Sequence, residues 1–236
     1  MHRVVVLASL AAACGRHGFD ARGDAAADAA PDAQQFARCS GTLIFDDEFD
    51  APGAGPVFML NTGTEIPATE VGGELVFDLS GAITGRQYRA YRSVTTYPLD
   101  GLCLVAEVTS IATCEPCGTY LKIYDTAQAA ELYAYRGPPD ELSMRTHVNA
   151  IMGSGTVEHF FDIPFDLVNT RFWQIRHVGT ATYWETSADG LAFTRHTQKL
   201  DLFTESAVSI TLGAGTPVST SNGGIASFQR VTAYGP

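Results

Sequence analysis

From Cys39 to the C-terminus, runs of four to ten residues rich in Val, Ile, Thr, Tyr and Phe are separated by Gly, Pro, Asp, Asn and Ser. This is the punctuation of strands joined by turns. It predicts strands at Thr42–Phe49, Glu74–Leu79, Gln87–Tyr97, Leu102–Ile111, Thr119–Asp125, Glu131–Tyr135, Glu141–Val148, Val157–Asp162, Arg171–Val178, Ala181–Thr186, Ala192–Thr197, Ala207–Leu212 and Ile225–Tyr234. No window of ten or more residues carries apolar positions at helical spacing, and a short turn near Lys199–Thr204 is the sole helical expectation. About a dozen antiparallel strands do not stay in one flat sheet; they fold into two packed sheets or close into a barrel.

Period-two alternation divides three successive strands into faces. Leu121, Ile123, Leu132, Ala134, Leu142 and Met144 fall on one side, the expected core. Tyr120, Lys122, Tyr124, Glu131, Tyr133, Tyr135, Ser143, Arg145 and His147 collect on the other. Aromatic faces beside hydrogen-bonding groups suit a sugar, whose ring stacks while its hydroxyls need donors and acceptors. Tyr120, Lys122, Tyr124, Tyr133, Tyr135, Arg145 and His147 are therefore the expected ligand-binding set. The plainer reading of the same pattern is cross-strand tyrosine pairing that stabilises a half-exposed sheet.

The stretch FWQIRHVGTATYWETSADGLAFTRHTQ reads as three antiparallel strands joined at Gly179 and at Ser187–Gly190. Its Trp173, Ile175, Arg176, Gly179, Ser187, Asp189, Gly190 and Phe193, with the segments LIFDDEFDAPG, VGGELVFDL and IASFQRVTAYG, resemble the concanavalin-A-like lectin/glucanase superfamily. The resemblance spans most of residues 41–235 and implies an all-β, two-sheet antiparallel jelly-roll sandwich. Lectins of that group bind on a concave face. Its laminarinase-like hydrolases present E-x-D-x-x-E or E-x-D-x-E on one strand, with nucleophile and acid/base about 5 Å apart. The sequence has no such strand.

Composition agrees with one folded domain: 45% of residues are hydrophobic and 17% charged. The net charge of −11 resides in the body, where 11 Lys and Arg stand against 22 Asp and Glu beyond Arg38. Nucleic acid is thereby excluded as a partner, since phosphate binding needs a basic patch. The sequence sets no oligomeric state.

The N-terminus reads as an address. Met1-His2-Arg3 precedes an apolar run, Val4 to Ala13, too short to span a bilayer as a helix. LASLAAAC resembles a bacterial lipobox, with Ala11 where Leu is usual, which makes Cys14 the expected lipidation site. Gly15 in the following position implies the outer membrane by the same resemblance; cleavage after an alanine would instead give a periplasmic or secreted chain. Residues 1–13 are thus read as a signal peptide, 14–38 as the lipidated Cys14 and a disordered Ala/Asp-rich tether, and 39–236 as the sandwich. The N-terminal lipid is the only membrane contact expected.

Setting Cys14 aside leaves Cys39, Cys103, Cys114 and Cys117, expected as two disulfides in an oxidising compartment. Three pairings are open; the turn-like TCEPCG favours Cys114 with Cys117 and Cys39 with Cys103. A redox or zinc role for C-x-x-C lacks the βα context and the second ligand pair that such sites need. Asp46, Asp47 and Asp50 suggest a Ca²⁺ site, against which a solvated strand end with an Asx turn is preferred. No other cofactor is expected. There is no G-x-S-x-G, P-loop or H-E-x-x-H, and the six histidines are scattered singly. No catalytic residue is expected. The resulting expectation is a cell-envelope lipoprotein with a non-catalytic, lectin-like domain that binds glycan or another envelope component. Its alternatives are a divergent glycoside hydrolase and a structural surface lipoprotein without a small ligand.

Overall fold

The computed structural model describes residues 35–37, 39–50, 58–60, 65–135, 140–148 and 156–236. The signal peptide, Cys14 and most of the tether lie outside the described residues. Within them the chain is all-β and forms two antiparallel sheets.

The first sheet runs β1 (Gln35–Ala37), β15 (Ala192–Leu200), β14 (Ala181–Ser187), β13 (Phe172–Val178), β8 (Cys103–Ser110), β17 (Ile225–Gly235), β5 (Glu74–Asp78) and β4 (Ala68–Val71), with β2 (Thr42–Asp47) also paired to β17. The second runs β12 (Thr156–Pro164), β11 (Glu141–Val148), β10 (Gln128–Tyr135), β9 (Gly118–Tyr124), β16 (Ala207–Thr216), β6 (Gln87–Ser93) and β3 (Phe58–Leu60), with β7 (Tyr97–Pro98) paired to β16. Strands distant in sequence are neighbours in both sheets, as in β17 beside β8 and β16 beside β9. The result is the concanavalin-A-like jelly-roll sandwich. Its core is one cluster in which Leu121, Ile123, Leu132, Leu142 and Met144 of the second sheet meet Leu104, Val108, Trp173, Ile175, Trp184 and Phe228 of the first.

Several expectations change at this level. β1 pairs with β15 inside the segment read as tether, covering an edge that would otherwise expose unpaired backbone groups. β3, β4 and β7 are too short to produce a periodic signal. The predicted strand Gln87–Tyr97 breaks into β6 and β7 around Val94–Thr96. The expected helical turn at Lys199–Thr204 is absent: β15 extends through Leu200, and Asp201 then turns the chain with φ 50°.

The S-A-D-G turn is built by its own side chains. Ser187 Oγ accepts from Asp189 N at 3.2 Å and Gly190 N at 3.0 Å, while Asp189 Oδ1 accepts from Leu191 N at 2.8 Å. Gly190 has φ 73°, which glycine adopts without the cost that a Cβ imposes. The disulfides are Cys39–Cys103, which ties the segment before β2 to β8, and Cys114–Cys117 in the turn between β8 and β9.

Candidate active site

The second sheet carries its core residues on one side, so the remaining positions of β9, β10 and β11 form the opposite, outer face. Strand register arranges this face in rows. Arg92, Thr211, Lys122, Glu131 and Arg145 lie in line across β6, β16, β9, β10 and β11. A second row runs Ala90, Gly213, Tyr120, Tyr133, Ser143 and Asp162, and a third Tyr88, Gly215, Gly118, Tyr135 and Glu141.

All seven expected ligand-binding residues lie on this face, but they are not equally accessible. Tyr120 and Tyr133 are 6% and 8% exposed. Their ring planes differ by 8° at a centroid distance of 6.4 Å, so they lie side by side. A Cβ built on Gly118 would overlap the Tyr133 ring, and one built on Gly213 the Tyr120 ring. The rings therefore lie down over glycines of neighbouring strands, where the missing side chains leave room. Arg145 Cζ sits 3.8 Å from the Tyr133 centroid and Lys122 Nζ 5.3 Å from that of Tyr120, adding cation–π contacts. These two tyrosines serve as flooring, a role nearer to the plainer sequence reading than to a stacking platform. Tyr124 and Tyr135 are half-buried. Tyr135 donates to Glu141, and that bond pushes its phenol up to about 12.

At the centre stands Glu131, 4% exposed. Its Oε2 lies 2.8 Å from His147 Nε2, and its Oε1 3.9 Å from Lys122 Nζ. Burial pushes its carboxyl up, but the His147 hydrogen bond and the charges of Lys122, His147 and Arg145 outweigh that effect and hold it below the usual carboxylate range. From behind, Trp184 Nε1 on the first sheet donates to the Glu131 carbonyl at 3.0 Å. Glu131 is thus held from both sheets, its carboxylate by His147 and Lys122 and its main chain by Trp184. His147, partly exposed, has Nε2 committed to Glu131, which leaves Nδ1 as the nitrogen to exchange a proton with a ligand.

His147 has the companion that sequence spacing did not show. His177 Nδ1 instead meets Thr182 Oγ1 at 2.9 Å, and His196 Nε2 meets Thr186 Oγ1 at 2.7 Å. Glu185 on the first sheet is also buried, but Arg176 and Arg195 take its Oε1 at 2.9 and 3.1 Å while Gln174 and Arg176 take Oε2. A carboxylate so saturated is a structural tie.

The acidic strand exit does not gather into a Ca²⁺ cage. Asp46 Oδ1 accepts from Arg230 Nε at 2.7 Å, and Glu48 pairs with the same guanidinium. Asp47 Oδ1 accepts from Phe49 N at 3.0 Å, an Asx turn that lets Phe49 adopt φ 52° and bury its ring. Among the described residues no three acidic, His or Cys groups converge as metal ligands.

The fold is that of known endo-β-glucanases. An endo-β-1,3-glucanase from Pyrococcus furiosus superimposes with TM-score 0.62 at 12% identity, covering 82% of this chain and 94% of its own. The catalytic domain of an endo-1,3-β-glucanase (laminarinase) from Thermotoga petrophila RKU-1 gives 0.61 at 8% identity, over 83% of this chain and 98% of its own. A β-1,3-1,4-glucanase (lichenase) from a mouse hindgut metagenome gives 0.57 at 10% identity, over 83% and 100%. No family model matches the chain, and no curated protein matches it. These neighbours are glucanases and not lectins, which overturns the expectation of a lectin-like domain. The E-x-D-x-x-E strand remains absent among the described residues: the outward positions of β9 are Gly118, Tyr120, Lys122 and Tyr124.

Proposed function

We propose that the protein is a divergent glycoside hydrolase acting on a β-linked polysaccharide, with His147 as its catalytic proton carrier and Glu131 as the positioning residue beneath it. The observation that carries this reading is an ionised, nearly sealed carboxylate hydrogen-bonded to a partly exposed imidazole at 2.8 Å, at the middle of one sheet face. Such a pair fixes the orientation of the imidazole ring. The fold shared with endo-β-glucanases supports the reaction class, although fold by itself does not carry function.

One carboxylate in place of two changes the chemistry. Charged His147 gives its proton to the departing glycosidic oxygen as the bond to the anomeric carbon breaks. Water then attacks that carbon and returns a proton to the neutral imidazole, so the charged His147 is regenerated and the bond is hydrolysed. Glu131 stays ionised throughout and offsets positive charge on the imidazole and the sugar.

The test is reducing-end release by wild-type protein, His147→Gln and Glu131→Gln from a panel of β-linked polysaccharides. Activity in the wild type, a loss of about 100-fold or more in His147→Gln and a displaced pH profile in Glu131→Gln are expected. A folded wild type that releases no reducing ends, or a His147→Gln variant at full rate, overturns the proposal.

We also propose export with lipid anchoring at Cys14. The two disulfides of the body support an oxidising destination.

A further inference from the structure

The chain is strongly acidic, yet the central row of the proposed site carries three cations, Arg92, Lys122 and Arg145, and a single carboxylate, Glu131. The other carboxylates of this face are turned to neighbours, Glu141 to Tyr135 and Asp162 to Ser143. Arg145 Nε is buried with no hydrogen-bond partner. Arg92 is exposed, and its guanidinium lies 4.8 Å from the Tyr124 centroid, a cation–π contact that holds it at this face. Beside it opens a pocket of about 320 Å³ in which Thr95, Thr96 and Ser209 supply hydroxyls and Met59 an apolar wall. A hydroxyl-lined pocket next to a planar, always-charged donor is suited to a sugar that bears an anionic group.

The charged ends converge on the middle strands. The Arg145 guanidinium lies over the Tyr133 ring of β10, Lys122 Nζ is 3.9 Å from Glu131 Oε1 on the same strand, and the Arg92 guanidinium lies 4.8 Å from the Tyr124 ring of β9. A polymer lying across this face would meet all three cations.

From this geometry we infer that the substrate is an anionic polysaccharide bearing carboxylate or sulfate groups, and that Arg92 is its specificity-determining contact. The inference rests on the site proposed above and names its substrate class. The acidity of the rest of the molecule sharpens it, because a polyanion is repelled by the protein as a whole and binds only where cations are locally in excess.

Binding of the full chain is measured by calorimetry with hyaluronan, whose alternate sugars carry carboxylates, with a sulfated galactan free of uronate, and with neutral laminarin. Reducing-end release is followed separately on the same three polymers. At least one anionic polymer is expected to bind ten-fold or more tightly than laminarin, with affinity that falls as salt is raised. Which of the two binds separates carboxylate from sulfate recognition. Arg92→Ala is expected to lose about ten-fold in affinity and Arg92→Lys to lose less, since the charge survives but the planar fork does not. Laminarin binding equal to that of both anionic polymers, or anionic binding unchanged in Arg92→Ala, overturns the inference. Anionic binding with no reducing ends released from any polymer leaves the inference standing and removes the hydrolase reading. Cleavage of laminarin with indifference to both anionic polymers does the reverse.

Discussion

Glu131 and His147 meet at 2.8 Å although they do not oppose each other in the β10–β11 ladder: Glu131 faces Arg145, and His147 faces Ala129. The small Ala129 side chain leaves the imidazole room to lean along the diagonal, a distance long side chains can bridge. Arg145 meanwhile lies over Tyr133, so the carboxylate's hydrogen bond falls to the histidine. An alanine opposite His147 is thus part of the site's construction.

Loss of His147 should raise the Glu131 pKa. In His147→Ala the carboxylate stays buried but loses a hydrogen bond and a neighbouring charge, so its titration midpoint moves up toward or past the usual carboxylate range. Carbon-detected NMR titration of the Glu131 side chain reads the shift directly. A midpoint unchanged from wild type means that Lys122 and Arg145 alone hold the group ionised.

Tyr133 and Gly118 should behave as one unit. Gly118→Ala inserts a methyl where the ring lies and is expected to cost about 1–3 kcal/mol. Tyr133→Ala removes the obstacle, so the double variant should be more stable than the two single losses summed, by at least ~0.5 kcal/mol. Urea denaturation of the four proteins closes the cycle. Additive losses would mean that the ring moves aside at no cost.

Trp184 links the two sheets behind the site. Trp184→Phe keeps most of the buried ring but drops the hydrogen bond to the Glu131 carbonyl, an expected cost of ~0.5–1.5 kcal/mol. If that bond also helps to hold Glu131 in place, the variant's reducing-end release falls by more than its folded fraction does.

Acid should destabilise the protein in two stages. Burial lowers His177 and His196 below the ordinary value of 6.5, against smaller upward pulls from the Gly179 backbone and Asp100 on His177 and from Glu185 on His196. The unfolded chain therefore binds protons first as pH falls through 6.5, and the stability that both groups contribute above that pH is lost toward their folded values. Glu131 is lowered in the folded state from 4.5, so its contribution is full above that pH and is lost only below it. Melting temperature is expected to drop between pH 7 and 5 and again below 4.5, and His177→Gln/His196→Gln should flatten the first stage. A first stage that persists in the double variant assigns it to other groups.

Period-two alternation was enough to separate core from surface in β9, β10 and β11, because a side chain on a strand has only two directions to take. Leu121, Ile123, Leu132, Ala134, Leu142 and Met144 are all fully buried, on the side that alternation places them. The Ser187–Gly190 turn was equally legible, since its hydrogen bonds and the positive φ of Gly190 depend on residues adjacent in the chain. In β17 the same rule fails. Ala226 and Phe228 face the core, and so do Val231 and Ala233, because a register shift between Phe228 and Arg230 inserts an extra residue and restores the buried side.

The site divides in the same way. Sequence alone determined that the tyrosines, Lys122, Glu131, Arg145 and His147 share a face, because local backbone geometry dictates it. Only the tertiary structure decided what they do there. Tyr120 and Tyr133 lie over Gly213 and Gly118, which come from other strands, and Arg92 enters the row through β16 and β6. Glu131 takes His147 as its partner and receives Trp184 from the opposite sheet. These relations depend on long-range pairing and on which side chains are small enough to let a neighbour lean, quantities that no local window of residues contains.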